Sequence, residues 1–155
     1  MEYQLVKLVH IISATLLFGT GLGTAFHMTM AHFSGDVRAI AAVSRSVVWA
    51  DWLFTAPAAV VQVVSGGWMV WILNYAPTSR WLWVVLGLYV LIGVCWLPVV
   101  WLQIRMGKMA AYAVAHGEQL PPLYYRYFRI WFILGWPAFL SVLVIFYLMV
   151  YKPDL

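Results

Sequence analysis

The sequence predicts an all-α membrane protein, a four-transmembrane-helix antiparallel bundle whose helices extend beyond the bilayer on the cytoplasmic side. Three observations predict it. The apolar residues fall into four blocks, at about 5–28, 53–74, 81–103 and 131–151. Each can cross a hydrocarbon core of ~30 Å, which takes about 20 helical residues. A mean hydropathy of +0.90 with only 9% charged residues leaves little from which to build a water-soluble domain. Short segments rich in helix breakers separate the blocks, so neighbouring helices run antiparallel. Residues 1–155 therefore read as a single integral membrane helical domain.

The first block begins after Glu2, runs past about 20 residues and lacks a small-x-small cleavage site, so it reads as a retained span rather than a removed signal. Gly35 is the expected stop of helix 1 and Asp36 the N-cap of helix 2, which then runs over 37–74. Helix 3 continues past Arg105 to about His116, where Gly117 ends it, and the pair Pro121 and Pro122 precedes helix 4. On the opposite side, residues 75–79 form a short turn that supplies caps for helix 3. Spans 2, 3 and 4 contain Pro57, Pro98 and Pro137. Each removes an intrahelical hydrogen bond and predicts a local kink, which either shapes the helix alone or opens a pocket.

The formal charge of +4 is not gathered into a nucleic-acid-binding tract. Arg38, Arg45, Arg105, Lys108, Arg126 and Arg129 flank the connections between helices 1 and 2 and between helices 3 and 4, whereas Lys7, Arg80 and Lys152 lie on the other side. The positive-inside rule then puts the two basic connections in the cytoplasm and both termini in the periplasm of a bacterial inner membrane. Trp49, Trp52, Trp101 and Trp131 at one boundary, with Trp68, Trp71, Trp81 and Trp83 at the other, read as an aromatic belt. Cys95 is the only cysteine. No internal disulfide is possible, and the residue reads as a small buried apolar side chain.

Function must then come from the few polar groups within the helices. On helix 1, His10, Ser13, Ala14, Leu17, Gly21, Thr24 and Met28 share one face at about 100° per residue. That small, polar face should point into the bundle. Gly19 and Gly23 form a GxxxG pair on the other side, a spacing that ordinary helix packing also explains. On helix 2, Asp51, Thr55, Ala58, Gln62, Ser65 and Met69 form a second stripe. Gln62 lies in mid-bilayer and needs a hydrogen-bond partner on another helix or on a ligand. For Asp51, a charge pair with Arg105, Arg126 or Arg129 is the simplest expectation.

His10 and His27 are about 25 Å apart along one helix at 1.5 Å per residue, so they cannot share a metal. With no other histidine in spans 2 to 4, an intramolecular bis-histidine haem at His10 is excluded. His27 and His32 read as solvated, with a pairing of either to His116 at the end of helix 3 as the alternative. There is no HExxH, P-loop, CxxC or nucleophile elbow, and no inverted hydropathy repeat.

The stretch over residues 6–14 with its glycine-rich continuation, together with residues 51–57, 62–67 and 137–153, resembles a family of small bacterial proteins known only as predicted integral membrane proteins. More distantly, the early histidine and the terminal Tyr151, Lys152 and Pro153 resemble the four-helix protoporphyrinogen oxidases of the HemJ type and the membrane domain of copper-resistance protein D. The HemJ resemblance implies b-type haem on the first-helix histidine, here His10, and a lysine near the start of the third span. This chain has Arg80 there, a bulkier and permanently charged group.

Three functions follow as expectations. One is a haem-binding redox protein, quinone-linked or HemJ-like, with His10 as the metal ligand, Ser13, Gly21 and Thr24 leaving room for the porphyrin, and Arg80 beside its propionates. The second is a non-enzymatic bundle that assists a larger membrane complex, with His10 and Gln62 joining helices. The third is a small dimeric carrier whose path follows Asp51, Thr55 and Gln62.

Overall fold

The helix breakers divide the chain where their chemistry requires. The computed structural model describes residues 1–76 and 79–152, and four long helices account for nearly all of them: α1 (Glu2–Ser34), α2 (Val37–Ile72), α3 (Arg80–His116) and α4 (Pro122–Tyr151). All four are long and apolar enough to cross a membrane. Gly35 adopts the left-handed conformation at φ 68° and its N–H reaches His32 O, which terminates α1. The Asp36 side chain then accepts from Arg38 N at 2.8 Å, so α2 starts two residues later. Gly117, at φ 67°, ends α3 in the same way. Pro122 occupies the first position of α4, where its missing N–H costs nothing.

Two expectations need adjustment. α2 ends at Ile72 rather than Asn74, because Asn74 itself takes a left-handed φ of 48° and stops the helix. Ser79 precedes α3 but its side chain makes no capping bond. Of the expected turn, Pro77 and Thr78 lie outside the described residues, as does Pro153 of the closing motif.

The prolines act unequally. α3 and α4 run through Pro98 and Pro137 without interruption. In α2 the residues Asp51–Thr55 form a π-helical turn instead. Pro57 cannot donate to Leu53 O and its ring crowds that carbonyl, and the widened turn lets Ala56 N–H bond back to Asp51 O.

The helices follow one another around an up-and-down bundle. The connections α1–α2 and α3–α4 lie at one end, called the basic end, and the termini lie at the other. Near the basic end Met28, Ile40, Val47, Leu102, Met106, Ala110, Tyr124 and Phe128 form the main core. Small groups bring α2 and α3 together there: a Cβ on Gly107 would meet Ser44 Cβ at 3.2 Å. His32 is not a solvated histidine. Its ring stacks on Phe128 with centroids 3.6 Å apart. Toward the termini the seam between α1 and α4 is looser, bridged by Phe18 against Phe139 and Phe146 at 5.7 and 5.4 Å. Lys152 Nζ donates to the Tyr75 hydroxyl at 2.9 Å and ties the end of α4 to the α2–α3 connection.

Candidate functional site

The polar stripes of α1 and α2 do face inward, but they build two separate sites rather than one. The first surrounds His10. Its ring lies over Gly66, where even a Cβ would come within 3.2 Å of Cε1. Ser65 Oγ is 2.9 Å from Nδ1, and Gln62 Nε2 is 2.9 Å from Nε2. Ser65 donates its own proton to Val61 O at 2.6 Å, which leaves its oxygen to accept from Nδ1–H. The Gln62 amide therefore donates to Nε2, and the network assigns a neutral imidazole with its proton on Nδ1. Ser13 completes the cluster by donating to Gln62 Oε1 at 2.5 Å. In lipid, where apolar surface gives helices no preference for one another, such bonds hold α1 to α2 at about 0.6–2 kcal/mol each.

This arrangement does not fit a haem. An axial histidine needs a free ring nitrogen, and both nitrogens of His10 are hydrogen-bonded within the α1–α2 seam. The other residues expected around the porphyrin are elsewhere. Gly21 and Thr24 line a different cavity, and Arg80 is an exposed residue at the start of α3 that contributes to neither site. Among the described residues, no cluster of three or more His, Cys, Asp or Glu side chains could hold a metal ion.

The second site is a cavity of ≈ 450 Å³ between α1 and α4, floored by α2 and α3. That volume falls in the ~300–1,000 Å³ range of small-molecule pockets. Its walls are apolar and aromatic, including Leu17, Phe18, Trp96, Val99, Phe139 and Val142, with Gly21 and Gly135 leaving space between them. Wall residues lie within two positions of each internal proline: Thr55 before Pro57, Trp96 and Val99 around Pro98, Trp136 and Ala138 around Pro137. Leu22, Phe26, Phe132 and Trp136 line the cavity yet remain exposed. They mark a mouth that opens sideways, toward the lipid.

One end of the cavity is polar. The π-helical turn places Asp51 and Thr55 together, and the Thr55 hydroxyl donates to Asp51 Oδ1 at 3.0 Å. The Gln103 side chain lies beside the Asp51 carboxyl group. Asp51, Gln103 and Trp131 are only 4%, 3% and 5% exposed. Nevertheless Asp51 Oδ2, Gln103 Oε1 and Trp131 Nε1 have no hydrogen-bond partner among the described residues. Among the described residues no arginine pairs with Asp51, whose carboxyl group accepts from Thr55 instead. The stripe thus divides: Asp51 and Thr55 reach the cavity, while Gln62 and Ser65 reach His10.

Gln103, Trp131 and Gly66 are the site residues that polar-stripe reasoning passes over. A signal for two of them existed. Trp96, Val99 and Gln103 recur at i, i+3 and i+7, and Trp131, Gly135 and Ala138 at i, i+4 and i+7, each a single helix face. Trp131 was hidden by its place at a block boundary, where an indole reads as part of an interfacial belt. Trp49, Trp52 and Trp101 are exposed as a belt requires, but Trp131 and Trp81 are buried.

No curated protein and no solved structure matches the chain, so the likeness to HemJ-type oxidases and to copper-resistance protein D gains no support from them. A family model does match, over residues 4–153, and is described as Predicted integral membrane protein (DUF2269). With nearly its whole length matched, the chain belongs to this integral membrane family.

Proposed function

We propose that this protein binds a bilayer-soluble small molecule in the α1–α4 cavity, its body among the apolar walls and its polar head at Asp51, Gln103 and Trp131. The observation that carries this reading is that Asp51, Gln103 and Trp131, which line an otherwise apolar cavity, each bury a polar atom with no partner among the described residues. More than about 90% of buried polar groups find partners, and each orphan costs roughly 1–3 kcal/mol. Three among the walls of one cavity mark a site completed by another molecule. A π-helical turn at the same place supports the reading, because such turns recur at functional sites. The side mouth lets the ligand arrive through the lipid, in keeping with a carrier or a quinone-linked protein more than with a passive assembly factor. By the charge asymmetry of its connections, the basic end lies in the cytoplasm.

The test is extraction of small molecules from the full-length protein purified in mild detergent, beside Gly135→Leu, which fills open space in the cavity wall. A lipophilic compound held stoichiometrically by the native chain and lost from a folded Gly135→Leu variant is the expected result. Equal retention by both, or none by either, overturns it. Absorption spectra of the same preparations, after growth with ample haem, read the haem hypothesis directly: a Soret band lost in His10→Ala would require Gln62 to leave Nε2 and would replace the present proposal.

A further inference from the structure

Resting on that reading, we infer that the molecule in the cavity is a lipophilic cation, held by the aromatic walls and by the negative charge of Asp51. Two observations support the sign of its charge. Aromatic rings dominate the walls. Phe132, Trp136, Phe139 and Phe18 follow one another around the cavity with centroids 6.2, 6.3 and 5.7 Å apart, and Trp96 and Trp131 add two more rings. Phe132 and Phe139 stand nearly at right angles to Trp136, at 79° and 90°. Rings set this way form corners in which a guest meets two ring faces. Those faces carry the negative side of the aromatic quadrupole, so they attract cations, and aromatic cages are a recurring receptor for quaternary ammonium groups.

The charges around the cavity are also of one sign. Asp51 is the one carboxyl group among the lining residues described, and no lysine, arginine or histidine joins it there. The lysine and arginines of the basic end are all exposed, and Arg105 lies over the exposed Trp101 ring at 5.3 Å. Exposed charges are screened by their surroundings, whereas a buried one is screened little. Asp51 is almost wholly buried, but it need not touch the guest. Coulomb attraction falls only as the inverse of distance and is strengthened in an apolar interior. A carboxylate buried without a counter-charge is costly, so the cation and the ionised Asp51 stabilise each other. An anion is repelled by Asp51 and by the ring faces, and a neutral guest draws on neither charge.

The experiment uses the full-length protein in phosphatidylcholine nanodiscs and two probe pairs of opposite charge: tetraphenylphosphonium with tetraphenylborate, and decyltrimethylammonium with decyl sulfate. Each affinity is referred to the probe's concentration in the lipid, measured on empty nanodiscs. Only binding abolished by Gly135→Leu or by Gly21→Leu, which fill open space in the cavity wall, is scored. The expected result is that at least one cation binds about tenfold or more tightly than its anion. In Asp51→Asn the ratio should fall to about threefold or less, and Trp136→Leu should weaken the cation more than the anion. If either of these variants fails to fold, the ratio in the native chain still decides. Equal binding of the two charges, tighter binding of the anions, or a ratio undiminished in folded Asp51→Asn overturns the cation inference and leaves the cavity reading standing. A neutral lipophile in the native extract, with no probe bound, does the same. No cavity-dependent binding of any probe, together with an empty native extract, overturns both.

Discussion

The two ends of this bundle are built on opposite terms. Toward the basic end the interior is closed: Met106, Ala110 and Tyr124 retain no exposure at all, α2 and α3 meet at Gly107 and Ser44, and His32 stacks on Phe128. Beyond Trp131 the same helices part. α1 and α4 touch through a few phenylalanines, a cavity opens between them, and its polar end is left unsatisfied. The difference teaches that tight packing and polar satisfaction are not uniform demands on a small membrane bundle. A close-packed frame can hold a second region in an arrangement that would not persist alone. Trp131 lies at the join, as a member of the main core that also lines the cavity.

The sharpest way to break the comparison is to loosen the frame. Tyr124→Ala removes a wholly buried aromatic ring and should cost about 3–5 kcal/mol, the range for large aromatic truncations in closed interiors. Unfolding in mixed micelles measures it. A loss below about 1 kcal/mol would mean that this end relaxes as freely as the other and that the contrast is false. The next effect in size comes from glycine. Gly107→Leu forces a branched side chain against Ser44, at about 1–3 kcal/mol for overpacking. Gly135→Ala meets nothing within 4 Å and should be neutral or stabilising by up to about 1 kcal/mol through helix propensity. Equal destabilisation by the two would show both regions to be packed alike.

These differences were only partly legible in the sequence. Helix number, the tight Gly35–Asp36 turn and the stop at Gly117 followed from local chemistry, since backbone conformation at a glycine or a cap is decided within a few residues. The inward face of α1 was legible too, because its periodicity is a property of one helix. The pairing of faces was not. Asp51 and Gln62 share a stripe, yet the π-helical turn and the divergence of α1 from α4 send them to different sites, and both depend on contacts across the bundle. His10 looked like a ligand because nothing along the chain reveals that Ser65 and Gln62, about fifteen turns away in sequence at 3.6 residues each, take both its ring nitrogens. Trp131 misled for the opposite reason: position along the chain told its depth in the membrane but not its facing.

The smallest expected effect is the most discriminating, because it reverses the usual sign. Asp51→Asn would destabilise the protein if the carboxyl group were structural, since a well-partnered buried carboxylate is lost at a cost of several kcal/mol. Here one carboxyl oxygen has no partner, and a buried group held in that state opposes folding. Replacement by a neutral amide of the same shape keeps the acceptor for Thr55 and relieves the burial of a charge-bearing group. The expected result is therefore a protein unchanged or stabilised by about 1 kcal/mol, with weaker retention of whatever molecule the cavity holds. Stability gained where binding is lost is the signature of a site maintained against the interest of the fold. A loss of stability, by contrast, would return Asp51 to the frame and leave the cavity with two orphan atoms rather than three.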